Sequence, residues 1–325
     1  MKYNLKAISD SRLFLFGIAT VMILFFHSSI IINPNNFVLK LIIFIKQYGN
    51  VGVDIFLFLS AIGLFHSMSK NQDIKAFYKR RFIRILPALL LINSLWFAYI
   101  SINGIKEYLF NVTGISIFFN GNRTCWYFTL LLLLYFIYPP LFKLEKKFGS
   151  KIYIFMIIFI IILNVFLSIY ATTLFNKIEI MTRRIPIFLI GCIFAKYVYN
   201  GVEIKKRYVI LISPILCICC LILYNLKIIP FGNRIWRYIL GILAIALIIL
   251  LSNIYYKINK KRFIEWIGMY SMEFYLLFEK FLIIFKPYLK AQDKYNFIYN
   301  LAIAIITLIG CIFLKITTNQ IVHKE

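Results

Sequence analysis

Carboxylates are scarce in this sequence. Asp and Glu number 12 in 325 residues, against 37 Lys and Arg, and charged residues of both signs make up only 15% of the chain. A soluble domain is usually about a quarter charged and about half apolar. Here 62% of residues are hydrophobic, so a soluble globular chain is excluded. The same figure excludes disorder, which needs low hydrophobicity. The formal charge of +25 is not a nucleic-acid footprint, because a polybasic polymer binder does not carry 33 Phe and 22 Tyr in long apolar runs. Of the six cysteines, Cys217, Cys219 and Cys220 share one apolar run, and the paired C-x-x-C form of a zinc site is missing. They read as buried thiols, and no metal site is expected. No internal repeat is visible, so an inverted transporter-type duplication has no support. No cleavable signal peptide is evident, because the first apolar run is too long for an h-region and no A-x-A site follows.

What is present is a series of apolar runs long enough to cross a bilayer, for which about 20 residues are needed. Ten are expected: Leu13–Ile32, Val51–Met68, Ile83–Ile100, Thr124–Phe142, Ile152–Tyr170, Arg184–Tyr199, Val209–Tyr224, Ile235–Leu251, Ile267–Phe285 and Phe297–Leu314. The expected fold is an all-α integral membrane bundle. Residues 1–325 are expected to form one polytopic domain with no fused soluble domain. Lys and Arg concentrate in the N-terminal segment and every second loop, around 70–84, 143–151, 196–207 and 257–262. Basic loops stay in the cytoplasm, so both termini are expected there, in a plasma or inner membrane.

Ionisable residues within spans are costly and mark function by default. His27 falls in the first span, roughly 21 Å above Leu13 at 1.5 Å per residue. Asp54 lies one turn into the second span, at a similar depth. A carboxylate beside an imidazole can orient it and stabilise its charged form. Equally, His27 can be a core histidine and Asp54 a cap. Trp126 and Tyr127 open the fourth span and Arg184 the sixth, all at the same face. An aromatic belt and headgroup snorkelling explain them as well as a site does. Arg80, Arg81 and Arg84 lead into the third span. They are a topology signal or a phosphate-pairing set for a nucleotide-bearing donor. Glu273 and Glu279 in the ninth span suit either a proton relay or structural ion pairs, with an interhelix partner favoured for Glu279.

These stretches resemble the membrane-bound acyltransferase 3 family. Phe16-Gly17-Ile18-Ala19 through Phe26-His27-Ser28 is similar to its first helix. Gly52-Val53-Asp54-Ile55-Phe56-Leu57-Phe58-Leu59-Ser60 resembles its G-V-D-I-F-F-x-x-S signature, and Arg81-Phe82-Ile83-Arg84-Ile85-Leu86-Pro87 its R-x-x-R-I-x-P element. Trp126-Tyr127, Arg184-Ile185-Pro186 through Gly191, and Gly268-Met269-Tyr270-Ser271 through Tyr275-Leu276 follow in family order. The resemblance implies transfer of an acyl group, commonly acetyl, from cytoplasmic acyl-CoA to a hydroxyl of an extracytoplasmic or lipid-linked glycan. It implies His27 as the catalytic histidine, with Arg81 and Arg84 on the donor side beside Arg80. Two positions depart from it. The Arg of the family's Arg-x10-His falls on Phe16, for which Arg12, one turn away, can substitute. Phe278 stands where members often carry His. Expected partners are the bilayer, acyl-CoA and the glycan acceptor, with no nucleic acid. The rival readings are a lipid-linked sugar transporter or flippase working through Glu273 and Glu279, and a catalytically inactive relative.

Overall fold

The computed structural model describes residues 2–28, 36–100, 104–209, 232–258, 262–285 and 296–322. Most of the described residues are helical. Its helices are α1 (Lys6–Asp10), α2 (Arg12–His27), α3 (Phe37–Gln47), α4 (Val51–Lys70), α5 (Ile74–Tyr99), α6 (Ile105–Val112), α7 (Ser116–Phe119), α8 (Trp126–Phe148), α9 (Lys151–Tyr170), α10 (Thr172–Thr182), α11 (Ile185–Tyr199), α12 (Gly232–Ile254), α13 (Arg262–Met269), α14 (Ser271–Phe285) and α15 (Asn296–Val322).

Among the described residues, six helices are long and apolar enough to cross a membrane: α4, α5, α8, α9, α12 from Arg237 onward, and α15. The count of ten therefore needs qualification. The first expected span is the shorter helix α2, which ends at His27. The sixth is α11, with 15 residues. The ninth is broken into α13 and α14 at Tyr270. The seventh, Val209–Tyr224, lies almost wholly outside the described residues. Segments expected as loops hold the helices α3, α6, α7 and α10. Two short strands, β1 (Lys2–Asn4) and β2 (Glu203–Lys205), pair antiparallel, so the fold is nearly rather than wholly α.

Local chemistry sets several boundaries. Pro186 stands in the first turn of α11, where its missing N–H is no loss. Gly149 ends α8 with φ 69°, a conformation that glycine adopts freely.

The chain divides into two compact units. The first comprises Met1–Arg12, Asp54–Phe82 and Ile100–Ile258, the second Leu13–Val53, Ile83–Tyr99 and Asn259–Glu325.

In the first unit, α4 is enclosed by protein along 83% of its apolar window, whereas α9 is enclosed along only 11%. An apolar helix left that open is built to face lipid. Helices α4 and α11 run side by side and parallel. Arg184 meets Asp54 at their starts. Two turns on, a Cβ on Gly191 would lie 2.8 Å from the Phe58 carbonyl oxygen and 2.9 Å from the Ala61 Cβ. At their ends the His66 and Tyr199 rings lie 5.2 Å apart. Small residues let membrane helices approach this closely, where dispersion and backbone contacts replace the hydrophobic drive. Helix α8 lies along α4 in the same sense, with Phe56 near Tyr127 at 6.3 Å and Phe65 near Phe142 at 5.8 Å.

In the second unit, α2 packs closely on two neighbours. A Cβ on Gly17 would run into the Ile264 carbonyl, and one on Gly268 into the Leu13 carbonyl. A Cβ on Gly52 would lie 2.5 Å from the Ala19 carbonyl oxygen. Glycine is thus required on both sides of α2. Helix α14 packs along α15.

Candidate active site

Two arginine clusters lie along α4 in the first unit. Nine residues separate Asp54 from Gly63, about 13 Å along the axis.

The first cluster surrounds Asp54 in the opening turn of α4. Arg184, at the joint between α10 and α11, donates from Nη1 to Asp54 Oδ1 at 2.8 Å, and both side chains are about 12% exposed. The Arg184 guanidinium also covers the Trp126 ring at 5.3 Å. Trp126 is edge-on to Tyr127, and Tyr127 is tilted against Phe56. The pair is nearly dry, and its aromatic lid adds cation–π attraction that is stronger when water is excluded. Arg183 and Arg237 also lie within electrostatic reach of Asp54. Arg183 is held by Glu179, through Nη2 to Oε2 at 3.5 Å and Nε to the Glu179 carbonyl oxygen at 3.1 Å. Arg123 approaches the other Glu179 oxygen at 3.6 Å.

The second cluster surrounds Gly63. Arg81 Nη2 donates to the Gly63 carbonyl at 3.3 Å, and its guanidinium lies 5.6 Å from the Phe77 ring and 5.8 Å from the Tyr135 ring. Arg12 lies against the same glycine: a Cβ there would fall 2.5 Å from Arg12 Nη2. Two guanidinium groups thus converge on one helix position, whose missing side chain makes room for that of Arg12. His66, three residues on, bonds through Nδ1 to the Ile62 carbonyl at 2.8 Å and meets Ser9 Oγ at 3.4 Å through Nε2.

The remaining expected residues are placed as follows. Arg80 and Arg84 are exposed on α5. In the second unit Glu273 is buried, and Lys315 and Arg84 lie within electrostatic reach of it. Lys315 itself donates to the Met269 carbonyl at 2.9 Å and sits 4.5 Å over the Tyr270 ring. Lys280, its chain neighbour, lies within electrostatic reach of Glu279. His27 is the last residue of α2, exposed, with the Phe26 ring 5.0 Å away and edge-on. Phe278 is buried in α14.

Sequence reasoning missed Gly63, Tyr135 and His66. Gly63 and His66 have a local signal, since residues three apart on a helix share a face. Tyr135 has none, being placed by the packing of α8. Among the described residues, no group of His, Cys, Asp and Glu is arranged to hold a metal ion.

The family model described as an acyltransferase domain matches residues 17–316. The chain belongs to the acyltransferase 3 family and is a membrane acyltransferase. No curated protein and no solved structure matches it.

Proposed function

We propose that this protein moves an acyl group, commonly acetyl, from acyl-CoA in the cytoplasm to a hydroxyl of an extracytoplasmic or lipid-linked glycan. It acts in a plasma or inner membrane with both termini cytoplasmic. The observation that carries the donor side of this reading is the convergence of Arg12 and Arg81 on Gly63. A half-buried pair of guanidinium groups favours a multiply charged anion, and forked donors suit the phosphates of a nucleotide-bearing thioester. Arg12 comes from the turn before Phe16. It supplies a guanidinium where the family's first-helix Arg is missing, which supports an active enzyme over an inactive relative. Arg80, exposed on the same helix as Arg81, extends the basic face on which the donor would settle, and the family resemblance adds Arg84 to the donor side.

In this reading His27 removes the proton from the acceptor hydroxyl, or carries the acyl group transiently. In the direct route the acceptor oxygen bonds the thioester carbonyl carbon, the carbon–sulfur bond breaks, and CoA leaves as the thiol with a proton. In the covalent route the His27 nitrogen takes the acyl group as CoA leaves as the thiol, and the acceptor oxygen then displaces that nitrogen. Asp54 and Arg184, with Trp126 and Tyr127, form a dry and rigid corner that favours acceptor positioning. Glu273, within reach of Lys315 and Arg84, serves as a buried counter-charge. That arrangement suits an ion pair better than the proton relay a flippase would need.

The deciding experiment uses purified protein in nanodiscs with radiolabelled acetyl-CoA, alongside mass spectrometry of surface glycans from cells with and without the gene. His27→Ala is expected to abolish transfer at unchanged membrane abundance. Full transfer by that variant overturns the mechanism, and sugar translocation without acyl-CoA turnover favours the flippase.

A further inference from the structure

The N-terminal segment lies against the end of α4 where the Gly63 arginines converge. Ser9, in α1, meets His66 at 3.4 Å, and Arg12 lies against Gly63. Residues 9–12 therefore run along one turn of α4 in the opposite sense. Helix α1 also packs on α11, and the Leu5 amide donates to the Val202 carbonyl at 3.0 Å, just past the end of α11. Three parts of the first unit thus meet where α4 and α11 finish.

An aromatic wall stands at this meeting point. The His66 ring is held at both nitrogens. A carbonyl only accepts, so Nδ1 carries a proton toward the Ile62 oxygen, and Nε2 faces the Ser9 hydroxyl. The ring so fixed meets Tyr199, the last residue of α11, at 5.2 Å with the two planes 66° apart. Phe65 meets Tyr199 at 6.0 Å and 69°, and is itself braced by Phe142 of α8 at 5.8 Å. Both neighbours approach Tyr199 steeply, and among the described residues no ring lies flat on it. Tyr199 is 49% exposed. It is therefore a tyrosine fixed by its neighbours and open to a planar partner. An exposed tyrosine at a helix end is common in membrane proteins. This one is set apart by its place: His66 lies one turn, about 4.5 Å along α4, from the glycine on which Arg12 and Arg81 converge.

We propose that Tyr199 stacks on the adenine ring of the acyl-CoA donor, with His66 and Phe65 holding the tyrosine in position and the phosphates lying toward Arg12 and Arg81. This rests on the acyl-CoA reading above and adds a base subsite to it. A purine nucleotide offers a flat π face and carries its phosphates on the adjoining sugar. That matches an aromatic platform beside guanidinium groups. A lipid headgroup brings phosphate without a planar ring.

The test reads binding alone, so its failure and that of acyl transfer are separable. Purified protein in nanodiscs of zwitterionic lipid is titrated with adenosine 3′,5′-bisphosphate and, separately, with ribose 3,5-bisphosphate, which lacks the base. The wild type is expected to bind the adenosine compound more tightly by about tenfold, the usual worth of one stacked base. Tyr199→Leu, which keeps apolar bulk but no ring, is expected to lose that preference, and Tyr199→Phe to keep it. Equal binding of the two compounds by the wild type overturns the inference, as does absence of binding. A preference retained by Tyr199→Leu, or lost as fully in Tyr199→Phe, also overturns it. Acetyl transfer measured on the same wild-type preparation keeps the two readings apart: transfer without a preference for the base removes the adenine subsite and leaves the acyltransferase.

Discussion

At the residue scale, the energetics concentrate in a few charges that have been taken out of water. The Asp54–Arg184 pair is nearly dry, so removing one member strands the other. Asp54→Ala is expected to cost about 3–5 kcal/mol, read as a large loss of thermal stability in detergent. The double change Asp54→Ala with Arg184→Ala is expected to cost less than the sum of the singles, because no charge is then left unpaired. Additive losses would mean the two side chains act independently. Gly63 poses a different residue-scale question. Its Cβ would fall 2.5 Å from the Arg12 guanidinium, so Gly63→Ala must move Arg12. It is expected to raise the KM for acyl-CoA several-fold with a smaller effect on kcat. Adding Arg12→Ala to it is expected to cost little more. A KM unchanged by Gly63→Ala would remove Arg12 from the donor site.

At the element scale, the helices are held by close approach as much as by side-chain bulk. Gly17 and Gly268 each face a backbone carbonyl of the neighbouring helix, and a carbonyl cannot turn aside as a side-chain tip can. Gly17→Val is therefore expected to destabilise the α2–α13 contact more than Gly241→Val disturbs α12. A Cβ on Gly241 would meet the Ile187 side chain at 3.7 Å, an ordinary contact. Comparable melting temperatures for the two variants would refute this. Gly17 is packing space, and Thr20 Oγ1 donates to the Phe16 carbonyl at 2.8 Å. The element boundaries show what periodicity resolves. The long runs at α4, α5, α8 and α9 are legible because nothing interrupts them. The ninth apolar run reads as continuous, yet it breaks at Tyr270. Gly268 sits against the Leu13 backbone there, a constraint with no trace in local hydropathy.

At the scale of the whole molecule, the prediction concerns orientation. The proposed orientation has both termini in the cytoplasm, the side that the positive-inside rule favours for the basic loops. A reporter that functions only in the cytoplasm, fused after Glu325, is expected to be active, and one that needs export is expected to be silent. The opposite pattern would invert the arrangement and put the Gly63 arginines on the side away from acyl-CoA.

Composition, apolar run length and the ordered family elements were sufficient to establish a helical membrane protein of the acyltransferase 3 family and to nominate its arginines. Those are properties of the local chain: burying backbone in lipid demands helices, and charge in a span demands a reason. The tertiary structure alone decided which charges meet. Asp54 and Arg184 are 130 residues apart, and Arg12 and Arg81 reach one glycine from different helices. Each pairing depends on which helices are neighbours and how closely small residues let them approach, and that information is spread over the packed units rather than written beside either partner.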